Sequence, residues 1–368
     1  MDGDWSTPDL VAVVRLAVRN LDQIDGSNRF FTAFRRVADL ISHRLRRNSP
    51  SGSRRNIAHH YDLGNDFYRL FLDRTLAYSC AYYDEPADSL EKAQLQKYDR
   101  ICRKLDLGPA DHLLEIGTGW GGFAAYAAEV YGSRITTTTI SRQQHDYASN
   151  VFAHSRAHGR IELLFEDYRN LRGQYDKIVS IEMFEAVGFA HYDDYFGACN
   201  RLLKADGSML LQTITILETK FQQYLRQSDW IKKYIFPGAE LASVVEIQRS
   251  LDRGTNMSLF HKEEIGAHYA LTLHEWRRRF LGRLGEVRQL GFDERFIRMW
   301  DYYLAYCEGA FREGYIGDVQ LLLSKTVRPQ PCAHRPARDE SRLGDFVSGV
   351  GEQPAPQFRL ASDFPSSL

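Results

Sequence analysis

The segment His112 to Phe123, HLLEIGTGWGGF, constrains the fold more than any other part of the chain. An apolar strand ends in an acid and runs straight into a glycine-rich turn ahead of a helix. Gly117 and Gly119 can take backbone angles that a side chain forbids, and Gly121 and Gly122 let a ligand and the following helix approach the backbone closely. Such a turn is a cradle for a ligand carrying a ribose and a charged group.

Gly117, Gly119 and Gly122 also fit the G-x-G-x-x-G fingerprint of dinucleotide-binding dehydrogenases, which places an acid about 20 residues further on to hold the ribose. Here the second strand, Arg134 to Ile140 (RITTTTI), is followed by Ser141-Arg142-Gln143-Gln144, and no carboxylate appears until Asp146. The acid lies before the glycines instead, at Glu115, where methyltransferases that use S-adenosylmethionine carry one. The bland reading, a turn that merely packs a helix on a sheet, does not need so many glycines.

The 368 residues suffice for one large core with appendages or for two modest domains. With 47 basic and 48 acidic residues there is no net field, so bulk nucleic-acid binding is not indicated. The five cysteines are odd in number and lack metal-type spacing, which reads as reduced thiols in a cytoplasmic protein with no structural metal. No leader pattern and no apolar run of about 20 residues is present, so the expectation is a soluble protein or one at the inner face of a membrane.

Residues 1–56 hold amphipathic helices, with Leu10, Val13, Val14, Leu16 and Ala17, then Phe30, Phe31, Phe34, Val37 and Leu40, at helical spacing, and a basic linker containing Arg44, Arg46, Arg47, Arg54 and Arg55. The linker reads either as solvated chain or as an attachment to anionic lipid, worth about 1 kcal/mol per basic residue near such a surface. From His112 strands and helices alternate, which implies a mostly parallel sheet covered on both faces, with ligands at the carboxyl ends of its strands. Residues 218–312 read as helical and rich in aromatics, either ordinary core or the walls of an apolar tunnel. Ile316 to Thr326 reads as a closing strand, and 327–368, with six of the eleven prolines, as a disordered tail.

The runs YDLGNDFYRLFLD (Tyr61 to Asp73), YSCAYY (Tyr78 to Tyr83), LEIGTGWGG (Leu114 to Gly122), TISRQQ (Thr139 to Gln144), IVSIEMFEAVG (Ile178 to Gly188), KYIFPG (Lys233 to Gly238) and YYLAYCEGAFR (Tyr302 to Arg312) together resemble cyclopropane-fatty-acid-phospholipid synthases and the related mycolic acid methyltransferases. The resemblance implies a class I, Rossmann-like methyltransferase over 57–326: an α/β fold with a mostly parallel seven-stranded sheet and a helical aromatic lid. It also implies methyl transfer from S-adenosylmethionine to the double bond of an unsaturated phospholipid acyl chain. The partner is then a membrane lipid met at an anionic bilayer surface, with a homodimer left open.

By that similarity Tyr78 and Ser79 close over the amino-acid end of the cofactor, and Gly117, Thr118, Gly119, Trp120, Gly121 and Gly122 cradle it behind Glu115. Thr139, Ser141 and Gln144 surround the ribose, and Asp167 and Tyr168 flank the adenine. Tyr78 also reads as core, and Ser141 as a helix N-cap. An alkene attacking the sulfonium methyl leaves a carbocation, which needs a dry site and aromatic faces; Tyr82, Phe184, Tyr269, Trp276 and Tyr303 suit that need.

In the family a bicarbonate ion serves as base. Glu185 and Cys80 match its cup, whereas the usual His on the strand is Gln212, the usual Tyr beside Trp276 is Arg277, and the His after the Glu is Ala186. Arg277 reads equally as a bidentate anion partner or as a solvated charge. The cation can close to a cyclopropane or shift a hydride to give a methylene or methyl branch. Glu182 and Glu185 are three apart, so either could act as base if burial raises its pKa. Cys307 coincides with the cysteine often assigned to the family's active site, although the chemistry does not require a thiolate. Two further readings stay open: a methyltransferase on a small soluble acceptor, and a catalytically silent lipid-binding protein.

Overall fold

Alternate residues of each central strand face opposite layers, and this period of two organises the molecule. Leu113, Val179 and Leu210 pack against helices on one face with Phe123, Tyr126, Ile135 and Phe152. Their neighbours Leu114, Ile178 and Leu211 join Phe184, Tyr195, Phe196 and Ile247 on the other. The computed structural model describes residues 3–21, 63–227 and 230–326. The apolar stretch Phe30 to Leu40, the basic linker, Cys332 and the expected tail 327–368 lie outside the described residues.

In chain order the elements are α1 (Leu10–Arg19), α2 (Asn65–Arg69), α3 (Leu90–Lys104), β1 (His112–Ile116), α4 (Gly122–Tyr131), β2 (Arg134–Thr138), α5 (Arg142–His154), β3 (Ile161–Leu164), β4 (Tyr175–Ile181), α6 (Tyr192–Leu202) and β5 (Leu203–Ile216). The lid region follows as α7 (Glu218–Leu225), α8 (Trp230–Tyr234), α9 (Val244–Gly254), β6 (Ser258–Glu264), α10 (Gly266–Gly282), α11 (Leu284–Gln289) and α12 (Glu294–Arg312), and β7 (Ile316–Ser324) closes the sheet. The seven strands run in the order β3-β2-β1-β4-β5-β7-β6. β1 to β5 are parallel, and β7 enters antiparallel to β5.

Local chemistry explains the boundaries. Ser89, Ser141 and Asp293 cap α3, α5 and α12 by accepting the backbone N–H groups of Lys92, Gln144 and Phe296. The threonine run of β2 suits a buried strand because its hydroxyls find partners: Thr136 bonds Glu162, Thr137 bonds Glu115 and Thr138 bonds the Glu166 carbonyl.

One element corrects the sequence expectation. The stretch 218–312 is not helical throughout, because β6 forms in its middle and pairs antiparallel with β7. Its sequence, SLFHKEE, has no clean alternation, and a register shift between Leu259 and His261 breaks what there is. Charged residues on such an outer strand discourage pairing with another chain. Among the described residues no helix is long and apolar enough to cross a membrane.

Candidate active site

The order in which strands are added reverses between β1 and β4, which are parallel neighbours in the sheet although β2 and β3 lie on the other side of β1. Ligands of open α/β sheets bind in the crevice at such a point. A cavity of about 510 Å³ opens there, walled on one side by the glycine turn and on the other by α10 and α12.

Of the residues assigned to the cofactor, Tyr78, Ser79, Glu115, Gly117, Thr118, Gly119, Trp120, Gly122, Thr139, Gln144, Asp167 and Tyr168 line the cavity. Gly119 has φ +52, and a Cβ there would meet nothing within 4 Å, so the glycine leaves open space in the cradle. Glu115 is held by the Thr137 hydroxyl at 2.6 Å, and burial pushes its carboxyl up to about 8. Trp120 donates its indole N–H to Asn65 at 2.8 Å, tying α2 to the turn. Thr139 donates to Gln144 at 3.0 Å, and Asp167 takes both Nε and an Nη of Arg169, at 2.8 and 2.7 Å. This acceptor-rich wall beside an open glycine cradle fits a nucleoside with free hydroxyls.

The second wall carries Glu185, Tyr269, Tyr303 and Cys307, with Phe236, Leu273, Phe311 and Ile316. Tyr78 and Tyr303 share a hydroxyl–hydroxyl bond of 2.9 Å, and Tyr269 stacks on Phe311 at 4.4 Å between ring centroids. Cys307 is half-buried in this wall.

Between the walls lies a carboxylate network that sequence reasoning saw only in part. Glu182 lies at a left-handed φ of +48, unusual for a residue with a side chain and characteristic of a strained site. Its carboxylate accepts from the Cys80 N–H (2.8 Å), the Gln212 amide (2.8 Å) and the Tyr269 hydroxyl (2.8 Å). Asp318, fully buried on β7, accepts from the same Gln212 amide at 3.2 Å. Burial raises both carboxyls, and the neighbouring Glu182 raises Asp318 further. Lys97 on α3 is also fully buried, donates to the Ser79 hydroxyl at 2.6 Å, and has its ammonium pKa lowered by burial. Both sites had a sequence signal in a charge on an apolar face: Lys97 lies between Ala93 and Ile101 at helical spacing, and Asp318 interrupts an apolar strand.

Eight assigned residues do not line the cavity. Gly121 faces Phe152, whose ring would lie 2.8 Å from an added Cβ, so its role is helix packing. Ser141 is the N-cap of α5. Cys80 is fully buried with its thiol on the Ala81 and Ile265 carbonyls, and burial pushes that thiol well up. Gln212 spends its amide on Glu182 and Asp318 and accepts from Gln320 at 2.9 Å. Arg277 donates to Asp301 at 2.6 Å and serves as a structural ion pair. Tyr82 packs on His268 under the Arg100 guanidinium, whereas Phe184 and Trp276 are core.

A seven-stranded sheet with this topology, a glycine cradle after β1 and an acceptor-lined crevice define the class of S-adenosylmethionine-dependent methyltransferases, and S-adenosylmethionine is the cofactor. The family model "Mycolic acid cyclopropane synthetase" matches residues 48–321, and the chain belongs to that family. The chain is 37% identical to the tuberculostearic acid methyltransferase of Mycobacterium tuberculosis over 89% of its own length and 78% of the relative's. To the cyclopropane-fatty-acyl-phospholipid synthase of Escherichia coli K12 it is 43% identical, over 73% and 67%. A crystal structure of a mycolic acid cyclopropane synthase complexed with SAH and CTAB superposes with a TM-score of 0.69 at 33% identity, covering 74% of this chain and 98% of that one.

Proposed function

We propose that the protein methylates the double bond of an unsaturated fatty acyl chain carried by a membrane phospholipid, through a carbocation that closes to a cyclopropane. The carrying observation is one continuous cavity that joins the glycine cradle to an aromatic and aliphatic sleeve. When bound, S-adenosylmethionine supplies an electrophilic methyl group. The turn from Gly117 to Gly122, with Glu115, Gln144 and Asp167, fixes its position, and positioning contributes much of the rate in such a reaction. Tyr269 and Tyr303 set ring faces on the reacting end, each worth about 0.5–2 kcal/mol to a cation. Phe236, Leu273 and Phe311 keep water from capturing it.

A second product is supported by a specific observation. Arg277 is paired away from the cavity and Gln212 is fully engaged, so the cup implied by resemblance for ring closure is altered. With that cup altered, the same cation is also open to a hydride shift and a methylene branch. A relative matched over 89% of this chain is named a methyltransferase and not a cyclopropane synthase.

Contact with a bilayer is supported by α1, whose outer face exposes Val13 and Leu16 while Leu21, just beyond it, lines the cavity. The test is incubation with methyl-labelled S-adenosylmethionine and vesicles of monounsaturated phosphatidylglycerol. Mass spectrometry is expected to find label in the acyl chains, and proton NMR separates a ring from a vinylidene group. Label in soluble acceptors with none in lipid overturns the reading.

A further inference from the structure

We propose that Glu185 itself receives the proton that ends the reaction, with no bicarbonate between it and the acyl chain; this rests on the acyl-methylation reading above. Among the described residues lining the cavity, Glu185 alone has a buried side-chain acceptor, Oε2, with no partner. The residue is 9% exposed. Its other oxygen, Oε1, accepts from the Thr213 hydroxyl at 2.9 Å and from the Ile214 N–H at 2.5 Å. Its carbonyl accepts from the Glu240 N–H at 2.9 Å. The carboxyl is therefore held at one oxygen, while the other has no partner and is covered by the wall of the empty cavity, so that it must turn to the surface to meet substrate as a base.

A bicarbonate ion does not fit beside it, because an anion needs donors and those that the implied cup would use are spent. Both amide hydrogens of Gln212 go to Glu182 and Asp318, and the Cys80 N–H and the Tyr269 hydroxyl go to Glu182. The Ile214 N–H goes to Glu185, Arg277 pairs with Asp301, and Ala186 offers no side-chain donor. Of the cavity's basic side chains, Arg169 holds Asp167, Lys232 bonds the Tyr224 and Gln227 carbonyls, His191 faces Asp194, and Lys220 is also partnered. What surrounds Glu185 is acidic, Glu182 and Asp318, and offers an anion no positive charge. Burial and Glu182 push the Glu185 carboxyl up to about 8, which makes it a competent base once the positive sulfonium favours its ionised form.

The step balances without another reactant. The alkene electron pair forms a bond to the methyl carbon while the carbon–sulfur bond breaks and leaves its pair on sulfur. The cation then forms on the neighbouring carbon. A C–H bond of the new methyl gives its pair to a new carbon–carbon bond, closing the ring, or to a double bond after a hydride shift; either way its proton goes to the Glu185 carboxylate.

The test compares wild-type turnover in carbon-dioxide-stripped buffer with turnover after bicarbonate is added, alongside Glu185→Gln and Glu185→Asp, with cofactor affinity followed by calorimetry. Wild-type turnover is expected to be the same in both buffers. Glu185→Gln is expected to fall by about 100-fold or more with cofactor affinity kept and no rescue by bicarbonate, and Glu185→Asp to recover part of the loss. Turnover that depends on bicarbonate, or a fully active Glu185→Gln, overturns the assignment. Should Glu185→Gln fail to fold, the bicarbonate response of the wild type decides alone. Absence of label in lipid in either buffer overturns the acyl-methylation reading and this inference with it, whereas label that requires bicarbonate overturns only the inference.

Discussion

At the scale of single residues, Arg277 and Glu185 illustrate how one sequence neighbourhood hides opposite fates. Arg277 follows Trp276, yet its guanidinium turns to Asp301, and both partners are about four-fifths buried. Replacing it with Ala is expected to leave methyl transfer unchanged and to cost about 1 kcal/mol or less, read from urea unfolding of the two proteins. A large loss of turnover would return Arg277 to the site. Glu185 was legible because a family phrase surrounds it; the spent state of Gln212 was not, since it depends on Asp318 and Gln320, more than a hundred positions away. Lys97 carried a readable signal, a charge on an apolar helix face, but the phrase that places Ser79 gives no hint that this lysine lies beneath it.

Among the elements, α1 is held to α12 by a close backbone approach and a pair of charges. A Cβ on Gly309 would lie 2.6 Å from a Val14 methyl, and Glu313 takes Arg15 and Arg19 at 2.6 Å each. Burial of Val11 and Val14 contributes most of the attachment, about 1.5–3 kcal/mol for each side chain if fully buried, since the exposed charges are screened. Gly309→Leu is therefore expected to dislodge α1, and limited proteolysis would show faster cleavage within 10–19 with the sheet domain intact. Cleavage no faster than in the wild type would mean that the helix tolerates the bulk. Helices and central strands announce themselves by periodicity, as α1 and β5 do; β6 does not, because its faces are decided by pairing with β7 and not by its own pattern.

Across the whole molecule, pH sets two opposing groups of carboxyls against each other. Glu115 and Glu185 are raised to about 8 by burial, and Glu182 and Asp318 are raised with them. A carboxyl raised on folding lends its full stability below its unfolded value, and that stability is lost as pH rises through the folded value. Glu263 and Glu275, lowered to about 2, mainly by Arg100 and Lys104 and by Arg278 and Arg279 respectively, act the other way and weaken the fold as pH falls from about 4.5 to 2. The cofactor-free protein is thus expected to melt highest near pH 5 and progressively lower toward pH 8 to 9, with the gain on adding S-adenosylmethionine larger at the alkaline end. Differential scanning calorimetry across that range checks this, and a flat profile would contradict it. The sheet and its crevice could be anticipated from the alternation after His112; the ionisation of the site could not, because it arises from groups that only the closed fold brings together.

The insertion between β5 and β7 leaves the sheet and returns to it, with β6 pinned along the outer edge of β7. Its aromatic helices are therefore anchored at both ends to the frame that carries the glycine turn. On the proposed reading, a wall so fixed acts as a ruler, because the acyl chain that it lines would be measured by the distance from a frame that cannot move away.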